Sequence, residues 1–220
     1  MPRDLRIKAI VIRRTDYGEA DRILTLLTEE GVRSAIAKGV KKAKSKLAGG
    51  VEMFTLTEVT LHEGKGDLAI VTSAQMKEFF GGILGSYESL EVAGRVMKDV
   101  GRIADQVNSE QLFGILYEAL KGLNDGISIE LVRLWVEMNL RIVVGEEMNL
   151  LRDVAGEKLM ENERYDWDGR EQVFVRNERG EVGAEQIKFL RLVVSVPLAT
   201  LARVRNAEVL ASGVARIFVS

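Results

Sequence analysis

The chain lacks cysteine altogether, and its only histidine is His62. Disulfides and thiolate metal sites are therefore excluded, and both zinc binding and histidine-dependent catalysis lose their usual ligands. We expect a protein that requires neither zinc nor any other cofactor.

Long apolar runs are also missing. The longest uncharged apolar stretch, Leu192 to Ala202, is far shorter than the roughly 18 residues of a membrane span. Lys8 interrupts the apolar run near the N-terminus, which argues against a signal peptide. These features favour a soluble cytoplasmic protein without a membrane partner.

Charge is distributed unevenly along the chain. Residues 1–80 carry 14 Lys and Arg against 11 Asp and Glu, a balance of +3, whereas residues 81–220 carry 17 against 22. This asymmetry is typical of a polyanion-binding module joined to a neutral or acidic body.

Five lysines lie within nine residues, and no acidic residue interrupts them. The cluster predicts a loop that contacts phosphates, because its local field is strongly positive. The alternative is a solvated surface loop whose lysines serve solubility. The cluster consists of Lys38, Lys41, Lys42, Lys44 and Lys46.

Aromatic residues are scarce near this cluster, since residues 1–78 contain only Tyr17 and Phe54. Proteins that bind single strands by stacking need aromatic faces for the bases. We therefore expect binding through phosphates, with little dependence on base sequence and a steep dependence on salt.

Alternating apolar and polar residues predict five short strands in the first third of the chain. The segments are 6–13, 20–28, 32–38, 51–61 and 68–73, with turns at 15–18, 30–31 and 63–67. Five short antiparallel strands suit an oligonucleotide-binding (OB-fold) barrel, and an SH3-like barrel is the alternative.

Helical periodicity begins after Gln75 and places the domain boundary near residue 78. Helices are predicted around 92–104, 109–123 and 129–144, the last apolar nearly all round and therefore central to a bundle. The sequence thus predicts an α+β chain, with an OB-fold barrel at 1–78 and a mostly helical domain at 79–220.

The later part of this helical domain contains a weaker segment. Turns at 168–169 and 179–180 surround a short apolar run at 173–175 and predict a small hairpin within 151–183. Two final helices are expected around 187–194 and 198–204, with Pro197 where the second begins.

Several N-terminal motifs resemble the RecO recombination-mediator family of bacterial DNA repair proteins. The resemblance covers residues 5–80 and follows the apolar first strand. Its motifs are Asp16-Tyr17-Gly18-Glu19-Ala20-Asp21-Arg22-Ile23, then Leu26 and Thr28, Ala37-Lys38-Gly39, and Ser45-Lys46-Leu47-Ala48-Gly49.

The resemblance implies a non-enzymatic mediator in the bacterial cytoplasm, associated with the nucleoid. It implies binding to single- and double-stranded DNA, strand annealing, and recombinase loading with RecR. It also implies a second partner, the C-terminal tail of single-stranded DNA-binding protein. Many family members carry a four-cysteine zinc site after the central helix, and this chain has no cysteine there.

The candidate DNA-binding residues are the basic side chains of the N-terminal module. They are Arg13, Arg14, Arg22, Arg33, Lys38, Lys41, Lys42, Lys44 and Lys46.

A partner-binding site is expected on the apolar central helix. Arg133 and Arg141, eight residues apart on nearly the same face, could meet the carboxylates of the acidic tail. The alternative is that both side chains simply reach solvent.

Catalysis finds little support in the sequence. Glu19 and Asp21 lie beside several arginines, so we expect ion pairing at the barrel rim rather than acid–base chemistry. The main alternative to DNA binding is a structural adaptor whose barrel binds protein.

Overall fold

The structure is a computed structural model that describes residues 3–63 and 68–219. Five strands, β1 to β5, form a closed barrel in the order β1-β2-β3-β5-β4. Their bounds are Arg3–Tyr17, Asp21–Thr28, Gly31–Ala37, Thr55–Glu63 and Ala69–Phe79. Helices follow the barrel, so the predicted α+β class and OB-like first part are confirmed.

Strand β1 is long enough to pair with two partners. Its first half pairs antiparallel with β4 over residues 3–10, and its second half pairs antiparallel with β2 over residues 10–17. A register shift between Val11 and Arg13 separates the two halves. The remaining pairs are antiparallel, except that β3 and β5 run parallel at Ala35 and Ile36.

The barrel core follows the period of two that the strands predict. In β4, Val59 and Leu61 are fully buried while Glu58 and Thr60, which alternate with them, are partly exposed, as the sequence pattern indicates. Other fully buried members of this core are Ala9, Val11, Leu24, Leu26, Ala35, Ala37 and Val51.

The structure corrects the start of the fourth predicted strand. Residues Ala48–Gly50 form a short 3-10 helix, and Phe54 has a positive φ of 59°. This left-handed residue ends the alternation, so Val51 and Met53 pack on the barrel from outside the strand. Strand β4 therefore begins at Thr55.

The fifth strand is also longer than predicted. It continues past Gln75 to Phe79 because residues 75–79 pair with the first part of β4. Gln75, Lys77 and Phe79 are exposed, but so is Met76, and Glu78 is only half-buried, so both faces of this part of β5 are solvated and no period of two marks it in the sequence. The predicted tip at Gly64 to Asp67 lies outside the described residues.

Two helices complete the first compact unit, which spans Met1–Asp125. Helix α1 is Tyr87–Ile103 and helix α2 is Ser109–Asn124. Ser86 and Asn108 cap their N-termini by accepting a backbone N–H three residues on.

The predicted domain boundary at residue 78 coincides with the change from strand to helix. The compact units are nevertheless divided farther along the chain, because α1 and α2 pack on β1, β2 and β3. A Cβ at Gly82 would lie 2.4 Å from the Asn124 carbonyl oxygen, so the chain entering α1 must be glycine there. The assignment of 1–78 and 79–220 as domains stays a prediction.

The second unit, Gly126–Ser220, is built around helix α3, Ile129–Val144. Most of α3 is buried, and it packs against helices α4, Ala184–Val193, and α6, Ala207–Val219. Trp135 belongs to this core and donates from Nε1 to the Val196 carbonyl oxygen at 3.0 Å. The apolar sequence of α3 predicts this central position.

The C-terminal helices differ from expectation. Pro197 directly precedes α5 as predicted, but α5 spans only Leu198–Leu201. Helix α6 then follows, where the sequence analysis predicts no helix. Among the described residues, each helix is too short or too polar to cross a bilayer.

The predicted small hairpin is present as β6, Tyr165–Asp168, and β7, Val173–Arg176. Phe174 lies edge-on to Tyr165, with ring centroids 6.5 Å apart, and 5.1 Å from the Trp167 ring. The buried Tyr165 hydroxyl accepts the Met160 N–H at 2.8 Å and donates to Glu163 at 3.0 Å. Aromatic packing thus holds this segment.

Acidic side chains hold the turns around the hairpin. Asp153 Oδ1 accepts the N–H groups of Ala155 and Glu157, both at 2.9 Å. Asp168 Oδ1 does the same for its own turn, and the N–H groups of Glu171 and Arg170 keep the pKa of Asp168 below its ordinary value. Each turn therefore has a local hydrogen-bonded anchor.

The aromatic cluster makes a stability prediction. Phe174→Ala should lower the free energy of unfolding of this unit by about 3–5 kcal/mol, because it removes a fully buried ring and leaves a cavity. Val175→Ala on the same strand is the control, since Val175 is partly exposed and should cost far less. Denaturant unfolding followed by tryptophan fluorescence measures both, and equal losses would contradict the prediction.

Candidate nucleic-acid interface

The lysine loop, residues 38–46, leaves the end of β3 with its backbone fixed to the barrel. Val40 is buried in the barrel core. The Gly39 N–H donates to Asp21 Oδ1 at 2.7 Å, and the Lys41 N–H donates to the Ala20 carbonyl oxygen at 2.9 Å. The loop is therefore tied to the turn between β1 and β2.

The lysine side chains of this loop face solvent. Lys41 contacts Asp16 at 2.9 Å. The other four are exposed and form no ion pair within residues 3–63 and 68–219: Lys38, Lys42, Lys44 and Lys46. Four uncommitted ammonium groups thus lie on one constrained segment.

A chain of ion pairs adjoins the loop at the same end of the barrel. Arg14 pairs with Glu52, and Arg22 bridges Glu52 at 3.6 Å and Asp16 at 3.0 Å. Asp16 then contacts Lys41. We call these five residues the rim network; its three cations outnumber its two carboxylates.

The rim network shifts the pKa of Asp16, the acid that contacts both Arg22 and Lys41. Hydrogen bonds from Lys41 and then Arg22 hold the pKa of Asp16 below its ordinary value. These hydrogen bonds favour the ionised form of Asp16, which is the form that pairs with Lys41 and Arg22.

The acidic partners at the rim differ from those predicted. Asp21 accepts the Gly39 N–H instead of pairing with an arginine, and Glu19 is exposed with no ion pair in the described part of the chain. Asp16 and Glu52 pair with the arginines instead. Glu52 is 38 residues from Arg14, so only the closed barrel brings them together.

Arg13 and Arg33 lie apart from the rim network. Arg13 is exposed and forms no ion pair with any described residue. Arg33 sits four residues before the end of β3, roughly 13 Å along the strand. It contacts Glu30 at 3.6 Å and Glu63 at 3.7 Å, so the structure does not group it with the lysine loop.

The two arginines of α3 have different surroundings. Arg141 contacts Glu137 and Gln172, each at 3.4 Å, and lines a small cleft of about 60 Å³ in the second unit. Arg133 is exposed and is not part of that lining. The cleft also includes Met138, Met148, Trp167 and Gly169, none of which the sequence pattern singles out.

Metal-binding geometry is not found in the part of the chain that the structure describes, where no group of three or more His, Asp or Glu side chains could hold an ion. His62 pairs with Asp4 at 2.7 Å on the barrel surface.

Comparison with known proteins identifies the first part of the chain. A family model described as Recombination protein O N terminal matches residues 1–80. This match covers the whole barrel, the lysine loop and the rim network.

Curated relatives extend the similarity into the helices. The chain is 35% identical over 151 residues to the DNA repair protein RecO of Roseiflexus sp. (strain RS-1), covering 68% of this chain and 53% of that protein. The corresponding protein of Heliobacterium modesticaldum is 41% identical over 112 residues, 50% of this chain and 41% of its own length.

A third relative matches more of the chain. The DNA repair protein RecO of Dehalococcoides mccartyi (strain ATCC BAA-2266 / KCTC 15142 / 195) is 33% identical over 168 residues, which are 74% of this chain and 66% of that protein. The chain thus spans about half the length of the first two relatives and about two thirds of the third. On the matched barrel and these relatives, the chain belongs to the RecO family.

Proposed function

We propose that the chain acts in DNA repair and recombination as a mediator that binds single- and double-stranded DNA through phosphate contacts. The observation that carries the proposal is the constrained lysine loop, with four ammonium groups that form no ion pair among the described residues. A fixed backbone lets these cations meet successive phosphates without first paying the entropy of ordering the loop.

The rim network supports the same surface. Its cations are already positioned by Asp16 and Glu52, and phosphates can replace these carboxylates as partners because both offer anionic oxygens. The relatives that carry the name DNA repair protein RecO support the biological setting. Strand annealing and recombinase loading with RecR belong to the proposal, as does the absence of catalytic turnover.

A second binding surface, for the acidic C-terminal tail of single-stranded DNA-binding protein, is proposed on the second unit. The cleft beside Arg141 combines a cation with the apolar side chains of Met138, Met148 and Trp167. A tail that ends in an apolar residue and a carboxylate needs this mixture. Arg133 lies two turns earlier on α3, roughly 12 Å away, where it can meet a second acidic residue.

Removal of the loop charges tests DNA binding. Changing Lys38, Lys42, Lys44 and Lys46 to alanine should lower affinity by at least roughly tenfold and flatten the plot of log affinity against log salt by about 0.7 to 0.9 for each phosphate that is no longer neutralised. Fluorescence anisotropy with labelled oligonucleotides at several salt concentrations measures both quantities.

The matched control removes the same charge from the second unit. Lys158, Arg170, Arg179 and Arg203 are exposed there, so their change to alanine alters net charge equally. An equal effect of the two quadruple variants would show that only net charge matters. If the parent binds no DNA but the barrel binds protein, the adaptor alternative is favoured.

A change in the rim network should have the opposite effect on DNA affinity. Asp16→Asn should raise DNA affinity and steepen the salt plot by roughly 0.7 to 0.9 for each additional phosphate neutralised, because Lys41 and Arg22 lose their carboxylate. Glu19→Gln is the control. It removes the same charge three residues farther along the chain, and Glu19 forms no ion pair among the described residues. An increase of the same size in both variants would rule out a specific role for Asp16.

Tail binding has its own test. Arg141→Ala should weaken binding of an acidic tail peptide more than Arg133→Ala does, because only Arg141 lines the cleft. Neither change should alter affinity for a naked oligonucleotide, and Arg203→Ala serves as the charge control. Isothermal titration calorimetry measures the peptide, and unchanged binding to the double arginine variant would place the tail elsewhere.

A further inference from the structure

We propose that Tyr17 forms a nucleobase subsite, in which one unpaired base stacks on the ring while the lysine loop holds neighbouring phosphates. This inference rests on the proposed DNA binding and adds to it a residue that selects single strands over duplex.

The side chain of Tyr17 is available for such a contact. It is the last residue of β1, and it is 57% exposed. Within residues 3–63 and 68–219, its ring has no aromatic partner and its hydroxyl has no hydrogen bond. An exposed aromatic face offers a stacking surface for any base, because every base has a π-face.

The position of Tyr17 is fixed relative to the lysine loop. The preceding residue, Asp16, contacts Lys41 at 2.9 Å. Its cross-strand neighbour in β2, Asp21, accepts the Gly39 N–H at 2.7 Å. The residue in front of Tyr17 and the residue opposite it thus both bind the loop, which fixes the backbone of Tyr17 relative to the backbone of the loop.

A cation also lies on the same face of β1 as the ring. Arg13, Thr15 and Tyr17 occupy alternate positions of β1, so their side chains leave the same face of the strand, and all three are exposed. Arg13 is roughly 13 Å from Tyr17 along the strand. A single strand that crosses this face meets a guanidinium and an aromatic ring, at the end of β1 beside the turn to which the lysine loop is tied.

Stacking on Tyr17 requires a base that is not already stacked and paired. A duplex keeps its bases inside the helix and exposes phosphates, whereas a single strand can present one base to the ring. Tyr17 therefore adds affinity for single strands only, while the lysines serve both forms of DNA.

The experiment compares Tyr17→Ala, Tyr17→Phe and the control Tyr87→Ala, which removes a tyrosine that is 81% exposed on α1. Fluorescence anisotropy is measured with an oligothymidylate, with the same strand containing central abasic sites, and with a blunt duplex. The abasic strand keeps every phosphate but lacks the bases in question.

Tyr17→Ala should bind the intact single strand roughly fivefold or more weakly, and should match the parent on the abasic strand and on the duplex. Tyr17→Phe and Tyr87→Ala should bind all three like the parent. If Tyr17→Ala loses affinity equally on all three, or on none, the subsite is wrong while phosphate binding stands. A parent that binds no DNA would overturn the subsite and the proposed function together.

Discussion

The double pairing of β1 is the constraint on which the first unit depends. One strand of fifteen residues pairs first with β4 and then with β2, and this sharing closes the sheet into a barrel. The irregularity between Val11 and Arg13 lets the strand bend from one partner to the other. Closure then brings Glu52, which precedes β4, against Arg14 near the end of β1.

The cations at the end of the barrel fall into two groups with different physical roles. Lys38, Lys42, Lys44 and Lys46 form no ion pair among the described residues, and the field of such exposed charges is screened by salt. The cations of the rim network are paired with carboxylates and are held in place by them. The rim network holds three cations and two carboxylates, so most of its positive charge is balanced within the barrel.

Much of the fold could be predicted from alternation and periodicity, and the failures have physical causes. Val59 and Leu61 mark the buried face of β4 because burial on one side imposes a period of two. The last part of β5 has no such period, since neither of its faces is buried. Phe54 adopts a left-handed conformation that its residue type does not suggest.

The candidate site could be predicted only in part. The lysine cluster is local in sequence and is visible without a structure. The partners of its neighbours are set by tertiary contacts, so the roles of Asp21 as a loop anchor and of Glu52 as an arginine partner could not be read from spacing. The cleft at Arg141 likewise combines α3 with the hairpin, some thirty residues away.

The contacts within the hairpin of the second unit determine what its stability depends on. A segment held by a bound metal becomes more stable as the free metal concentration rises, by mass action. Here Tyr165, Trp167 and Phe174 pack within the chain, and the turns are anchored by their own carboxylates. The contacts that hold this segment are therefore made within the chain, and their strength is set by packing and hydrogen bonding.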